Sequence, residues 1–346
     1  MATVVPPLVI SRKLGQGAFG EVFEGQDSVH GRVAVKVMAR TLGESAIEWH
    51  QRKAGLLAEA QRLSAAEHRN VVRVHSISED PAGDSIHLCM AYCSGGSLQQ
   101  AYERGPLPLA AVRKIATDVT LGLDALHSRG MLHRDIKPGN LLLDGNDVAL
   151  LGDFGLVTDQ LLHGYGSAVG YKDHIAYEVW STWLTSAKSD IWALGMTLYR
   201  LLHGHEWYRL GESPRVTVPV GGYANTLRWL PHIPAGWRRM VRKMLNDDTT
   251  RRYESAQQVL NALSALETPS WTAEVGKDSV RWELETGGRL RVVTWCWQSP
   301  RKHLWTAWSE PLGGTGRRRS LGGCASPQGL SKTVGELEEF FEKSQA

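Results

Sequence analysis

Apolar and polar positions first alternate with period two and then recur at helical spacing, which divides the chain before any motif is considered. Residues 8–14 and 21–26 read as strands on either side of a glycine-rich turn, and the β-branched run 31–39 predicts a third strand. Residues 46–66 lack proline and carry Leu56, Leu57, Ala60 and Leu63 at helical intervals, which predicts an amphipathic helix. A further strand is expected at 85–91. Beyond it the clearest helices fall at 109–128, 188–203, 237–246 and 255–266, the last capped by Ser255. The pattern therefore predicts an α+β chain, with a small β-rich lobe followed by a larger helical one.

The texture changes at Pro269. Three short strands are expected at 279–285, 289–298 and 303–310, separated by Gly-Gly and Ser-Pro turns. Residues 313–331, rich in Gly, Arg and Ser, read as a mobile loop. A last helix is expected near Thr333, with Thr333 and Glu336 as a capping box and Leu337, Phe340 and Phe341 on its packing face. Six of the thirteen tryptophans lie here, so the expected division is a first domain at 8–267 and a small Trp-rich α+β domain at 269–346.

Composition narrows the classes. With 42% hydrophobic and 22% charged residues, a chain of 346 residues can bury a full core. A net charge of +3 is too small to imply a nucleic-acid partner. Cys89, Cys93, Cys296 and Cys324 make no C-x-x-C pair, so reduced thiols in a cytoplasmic protein are expected. No apolar run reaches 18 residues, and residues 1–10 lack a secretory leader's basic start, so neither a membrane span nor export is expected.

Gly15-Gln-Gly17-Ala-Phe-Gly20-Glu-Val22 would let a backbone approach phosphates closely. Alone it could equally open a dinucleotide-binding unit or be an ordinary turn, but a strand rather than a helix follows it. That strand ends in Val33-Ala34-Val35-Lys36. A lysine there is usually a snorkelling surface residue, yet fourteen residues after Val22 it is placed to reach the phosphates. Glu59 on the long helix is expected to hold Lys36 extended, with Glu44, Glu48 and Glu67 as alternatives. His133-Arg-Asp-Ile-Lys-Pro-Gly-Asn140 supplies Asp135 to accept a hydroxyl proton, Lys137 to neutralise the migrating phosphoryl group and Asn140 to bind metal. Asp153-Phe-Gly155, thirteen residues after Asn140, supplies the main Mg²⁺ carboxylate.

In this order the motifs resemble the eukaryotic-type (Hanks-type) serine/threonine protein kinase family, over about residues 8–266. The resemblance implies the bilobal protein-kinase fold and an enzyme that transfers the γ-phosphoryl group of ATP to protein hydroxyls. It implies ATP and Mg²⁺ between the lobes, with Gly15, Gly17, Gly20, Val22, Ala34, Lys36 and Glu59 around the nucleotide and Asn140 and Asp153 on the metal. Met90 would close the back of the pocket, and the backbones of Ala91 and Cys93 would bond adenine. His133 and Arg134 belong to the catalytic loop. Asp190, opening Asp190-Ile-Trp-Ala-Leu-Gly195, would anchor that loop's backbone, and Arg251 would pair with Glu178 at the end of the activation segment.

The segment Gly170-Tyr-Lys-Asp-His-Ile-Ala-Tyr-Glu178 departs from the family's Gly-Thr-x-x-Tyr-x-Ala-Pro-Glu: Tyr171, His174 and Tyr177 replace threonine, tyrosine and proline. The family threonine helps orient the catalytic aspartate and lysine, so the departure bears on substrate positioning rather than on ATP. Thr158, Tyr165, Ser167 and Tyr171 are the available loop hydroxyls, and Ser167 is the expected phosphosite, with Arg134 as its receiver. The competing functions are a pseudokinase acting as a binding module, and a small-molecule phosphotransferase. Protein substrates are the expected partners, and some tryptophans of the C-terminal domain could meet a protein partner. Eleven basic against nine acidic residues in 269–346 give no sign of nucleic-acid binding there. Arg317-Arg-Arg-Ser320 reads as a solvated run, with autophosphorylation as the alternative.

Overall fold

The computed structural model describes residues 8–17, 20–64, 67–152, 171–313 and 316–344. Their β-rich lobe is a five-stranded antiparallel sheet of β1 (Val9–Gly17), β2 (Gly20–Asp27), β3 (Gly31–Ala39), β4 (Val74–Glu79) and β5 (Ser85–Ala91), in the order β1-β2-β3-β5-β4. Alternation along β3 sorts its side chains. Val33 and Val35 pack with Cys89 on one face, while Met38 joins the larger core with Trp49, Leu56 and Ala60 of helix α1 (Ala46–Ser64). Lys36 shares parity with Ala34 and Met38 and so points to this second face. At Gly20 (φ +147°) a Cβ would lie 2.2 Å from the Val37 carbonyl oxygen, so only glycine lets β2 leave the turn beside β3. The strand β4 escaped the sequence pattern because its six residues, VHSISE, carry little hydrophobic alternation.

The helical lobe packs α2 (Leu98–Arg104) and α3 (Leu109–His127) around a central helix, Ala187–Tyr208. Ser186 and Ser189 cap that helix reciprocally. Trp192, Leu194, Met196 and Leu198 are all buried, because the helix is surrounded rather than half exposed. It breaks at Gly204 (φ +69°), where a Cβ would press on the Gly105 backbone. A small sheet of β6 (Gly96–Ser97), β7 (Leu141–Leu143) and β8 (Ala149–Leu151) frames the loop between α3 and β7. Among the described residues no helix is long and apolar enough to cross a membrane.

The C-terminal sheet has five strands rather than three: β9 (Thr272–Val275), β10 (Ser279–Thr286), β11 (Arg289–Ser299), β12 (Lys302–Pro311) and β13 (Arg319–Gly323), antiparallel in sequence order. The two unforeseen strands are short edges: β9 alternates over only four residues, with Ala273 and Val275 toward the core, while β13 is exposed throughout and lies within the expected mobile loop 313–331. The expected capping box is also corrected, since the last helix runs Leu330–Lys343 with Gly329 as its cap. Thr333 sits one turn inside and bonds back to the Gly329 carbonyl, while Glu336 is drawn to the indole N–H of Trp305 at 2.8 Å and the Gln328 amide at 2.6 Å.

This sheet shares one hydrophobic core with the helical lobe. Trp295 meets Trp207 of the central helix at 5.8 Å between ring centroids, and Arg238 of helix Ala235–Met244 pairs with Glu338. Trp282, fully buried, donates its indole N–H to His232 Nδ1 at 2.9 Å; burial holds that imidazole near a pKa of about 3, hence neutral and able to accept. Trp282→Phe is therefore expected to leave a buried acceptor unsatisfied and to lower stability by about 1–3 kcal/mol in urea denaturation. An unchanged midpoint would show that the bond does not tie the sheet to the lobe.

Candidate active site

A cleft of about 640 Å³ runs between the lobes. Leu14, Val22, Ala34, Met90 and Leu142 line one part, while Lys36, Lys137 and Asn140 bring polar groups to it. Gly15 stands opposite Val22 and Gly17 opposite Gly20 in the β1–β2 ladder, which folds the glycine-rich hairpin over the cleft. Lys36 is 2% exposed, between Val22 of β2 and Leu88 of β5 in register. Glu59 lies on α1, but its side chain is outside the described residues. The alternatives are engaged elsewhere. Glu44 takes two hydrogen bonds from Arg52, chiefly responsible for lowering its carboxyl to about 2, Glu48 accepts the Ser45 N–H, and Glu67 pairs with Arg73. Burial pushes the Cys93 thiol up to about 11, so it is no nucleophile at neutral pH.

Asp190, 1% exposed at the start of the central helix, holds the loop that carries Asp135. It accepts the backbone N–H groups of His133 at 2.9 Å and Arg134 at 2.8 Å, and bonds His127 Nε2 at 2.9 Å. These bonds keep Arg134 at φ +68°, a conformation L-residues seldom adopt without such support. His133 Nε2 bonds the Gly152 carbonyl oxygen, and Gly152 N–H donates to the Asn140 carbonyl at 2.9 Å. The residue preceding Asp153 is thereby fastened to the loop, while Asp153 itself lies outside the described residues, as do Thr158, Tyr165 and Ser167.

The loop converges on one carboxylate oxygen. Asp135 Oδ2 accepts from Lys137 Nζ at 2.7 Å and from Asn140 Nδ2 at 2.7 Å, and Asn140 Nδ2 also reaches the Asp135 carbonyl. Among the described residues Oδ1 takes no hydrogen bond, and with its amide nitrogen so used Asn140 keeps Oδ1 for another partner. Both side chains are thus fixed in place, with one oxygen each unspent among the described residues.

One expected pairing is corrected. Glu178 binds Arg252, not Arg251, through two bonds of 2.7 and 2.6 Å. A 3₁₀ turn, Thr249–Arg251, directs Arg251 outward against Asp248, and the next residue, its side chain 0% exposed, turns inward to the carboxylate. His174, at the position of the family tyrosine, is buried between Thr197 and Arg200, and Thr197 Oγ1 is also 3.3 Å from the Ile136 carbonyl of the loop that carries Asp135. Tyr177 opens the short helix Tyr177–Thr182 on which Glu178 sits; the Tyr171 side chain is outside the described residues.

A protein kinase domain matches residues 8–263. The chain belongs to the protein kinase family. Its curated relatives include the serine/threonine-protein kinase ssp1 of Schizosaccharomyces pombe, 28% identical over 309 residues, covering 82% of this chain and 46% of that protein. Serine/threonine-protein kinase PknH of Mycobacterium tuberculosis is 31% identical over 271 residues (76% of this chain, 42% of PknH), and pkn2 of Myxococcus xanthus 30% over 276 (74% and 32%). The chain thus spans less than half the length of each of these relatives. The family match ends before β9, so the Trp-rich sheet lies outside it.

Proposed function

We propose that this chain is an ATP-dependent serine/threonine protein kinase working in the cytoplasm on protein substrates. The observation that carries this is the fixed Asp135, whose Oδ2 is held by Lys137 and Asn140 while Oδ1 is left for an acceptor hydroxyl. In the proposed step the hydroxyl gives its proton to Asp135, its oxygen bonds the γ-phosphorus, the bond to the β-phosphate oxygen breaks, and ADP leaves. Lys137 offsets charge on the migrating group and Lys36 binds phosphate oxygens. Ala91 N–H is committed to Arg73 and the Cys93 carbonyl to Gly96 N–H, so adenine would use the opposite groups, the Ala91 carbonyl and the Cys93 N–H. The apolar lining and the buried lysine suit a heterocycle with an anionic tail. Mg²⁺ prefers few protein oxygens plus phosphates; Asn140 Oδ1 fits such a set, with Asp153 as the proposed carboxylate, and the ion would supply charge neutralisation on the phosphates.

Lys36→Met tests the nucleotide half of this account. Losing charge-assisted bonds to phosphate is expected to weaken ATP binding about ten- to hundredfold, read by calorimetry with Mg²⁺ present. Unaltered affinity would remove Lys36 from the site.

A further inference from the structure

Arg200, on the central helix, lines the same cleft beside Lys137, Gly139 and the glutamines Gln99 and Gln100 of α2. Among the described residues it forms no ion pair. Its guanidinium carbon stands over two rings, 4.3 Å from the Tyr102 centroid and 4.9 Å from that of Tyr208. One Nη donates to His174 Nε2 at 2.7 Å, and Nε is buried without a partner. His174 cannot balance the charge: burial first, then the nearby charges of Arg200 and Lys137, hold its imidazole well below its usual pKa, so it stays neutral. Among the described residues the neighbouring carboxylates are occupied. Asp173 pairs with Arg215 at 2.7 Å and accepts from the Tyr208 hydroxyl, and Glu103 accepts from Gln99.

A guanidinium held between two rings, partly buried and without a carboxylate partner among the described residues, is costly unless something that binds completes it. From these contacts we infer that Arg200 selects the substrate, binding a carboxylate or phosphate group that the acceptor protein carries close to the hydroxyl to be phosphorylated. This rests on the protein-kinase function proposed above. The elements around Arg200 favour the peptide over ATP: Tyr102, Tyr208 and His174 all belong to the helical lobe, and His174 stands on the segment leading to Glu178. Lys36 and the glycine hairpin, which would meet the nucleotide, belong to the other lobe. A planar fork also suits carboxylate and phosphate better than a point charge would. The chain's own Arg317-Arg-Arg-Ser320, although exposed on and beside β13, should then be a poor acceptor, because it brings cations to a cationic subsite.

The test is a peptide library with Ser or Thr fixed and the flanking positions varied, phosphorylated by the full chain, by Arg200→Gln and by Arg200→Glu, with Asp135→Ala as the blank. Parallel sets carry glutamate or phosphoserine at the acidic positions to separate carboxylate from phosphate. The wild-type chain should favour acidic residues at one flanking position. Arg200→Gln should raise KM for acidic peptides about ten- to hundredfold relative to neutral ones, without a matching rise in KM for ATP. Arg200→Glu should move the preference to Lys or Arg. Flat or basic preference in the wild-type chain would overturn the inference while leaving the kinase function intact, and this arm decides even if both variants misfold. A rise confined to KM for ATP would overturn it by assigning Arg200 to the nucleotide. No labelling above the Asp135→Ala blank would overturn the kinase function, and the inference with it.

Discussion

Asp135→Asn is expected to slow phosphoryl transfer by about 10²–10⁴-fold, the range for removing a positioned general base. The amide keeps the size of the carboxylate, and its oxygen can still accept from Lys137 and Asn140, so the loop held by Asp190 should keep its shape. What is lost is an anionic oxygen able to take a proton. The effect should therefore appear in kcat with ATP affinity preserved, measured by steady-state transfer beside calorimetry on the same variant. Equal loss of ATP binding would mean that the substitution had collapsed the loop. Retained turnover would mean that Asp135 is not the base.

Arg252→Ala and Arg251→Ala should part widely, although the two arginines are adjacent. The Arg252 guanidinium is fully buried, holds both oxygens of Glu178 and also bonds the carbonyls of Asn246 and Lys188. Removing it leaves a largely buried carboxylate without its partner, a loss of about 3–5 kcal/mol. Arg251 is 76% exposed and only 3.4 Å from Asp248 at best, so its removal should stay within about 0.5 kcal/mol. Urea unfolding of the two variants reads the difference directly. The reverse order would refute the pairing with Glu178.

That contrast also marks how far sequence could lead. The order of the glycine hairpin, Lys36, Asp135, Asn140 and Asp190 was legible because each lies in a motif with fixed spacing, and the strands with strong alternation were legible for the same reason. The Glu178 partner was not, since a 3₁₀ turn changes which side of the chain consecutive residues face, and spacing alone cannot choose between 251 and 252. β9 was hidden because its alternation spans only four residues, and β13 because an exposed edge strand needs no hydrophobic face. Thr333 and Glu336 had the spacing of a cap, yet the helix began earlier and the Trp305 indole claimed the glutamate. Arg200 had no signal at all: one arginine in an apolar helix reads as a surface cation until two rings and a neutral histidine are found around it. The Trp-rich sheet was legible as a separate texture, but its shared core with the helical lobe depends on contacts such as Trp282 with His232, which no local pattern carries.

The central claim is transfer of phosphate from ATP to protein hydroxyls through Asp135. It is tested most directly by single-turnover reaction with γ-labelled ATP and Mg²⁺ on a mixed protein substrate, followed by phosphoamino-acid analysis. The account predicts label in phosphoserine or phosphothreonine, absent when Asp135→Ala replaces the wild-type chain. Label found only as inorganic phosphate or phosphotyrosine, or equal labelling by Asp135→Ala, would contradict it.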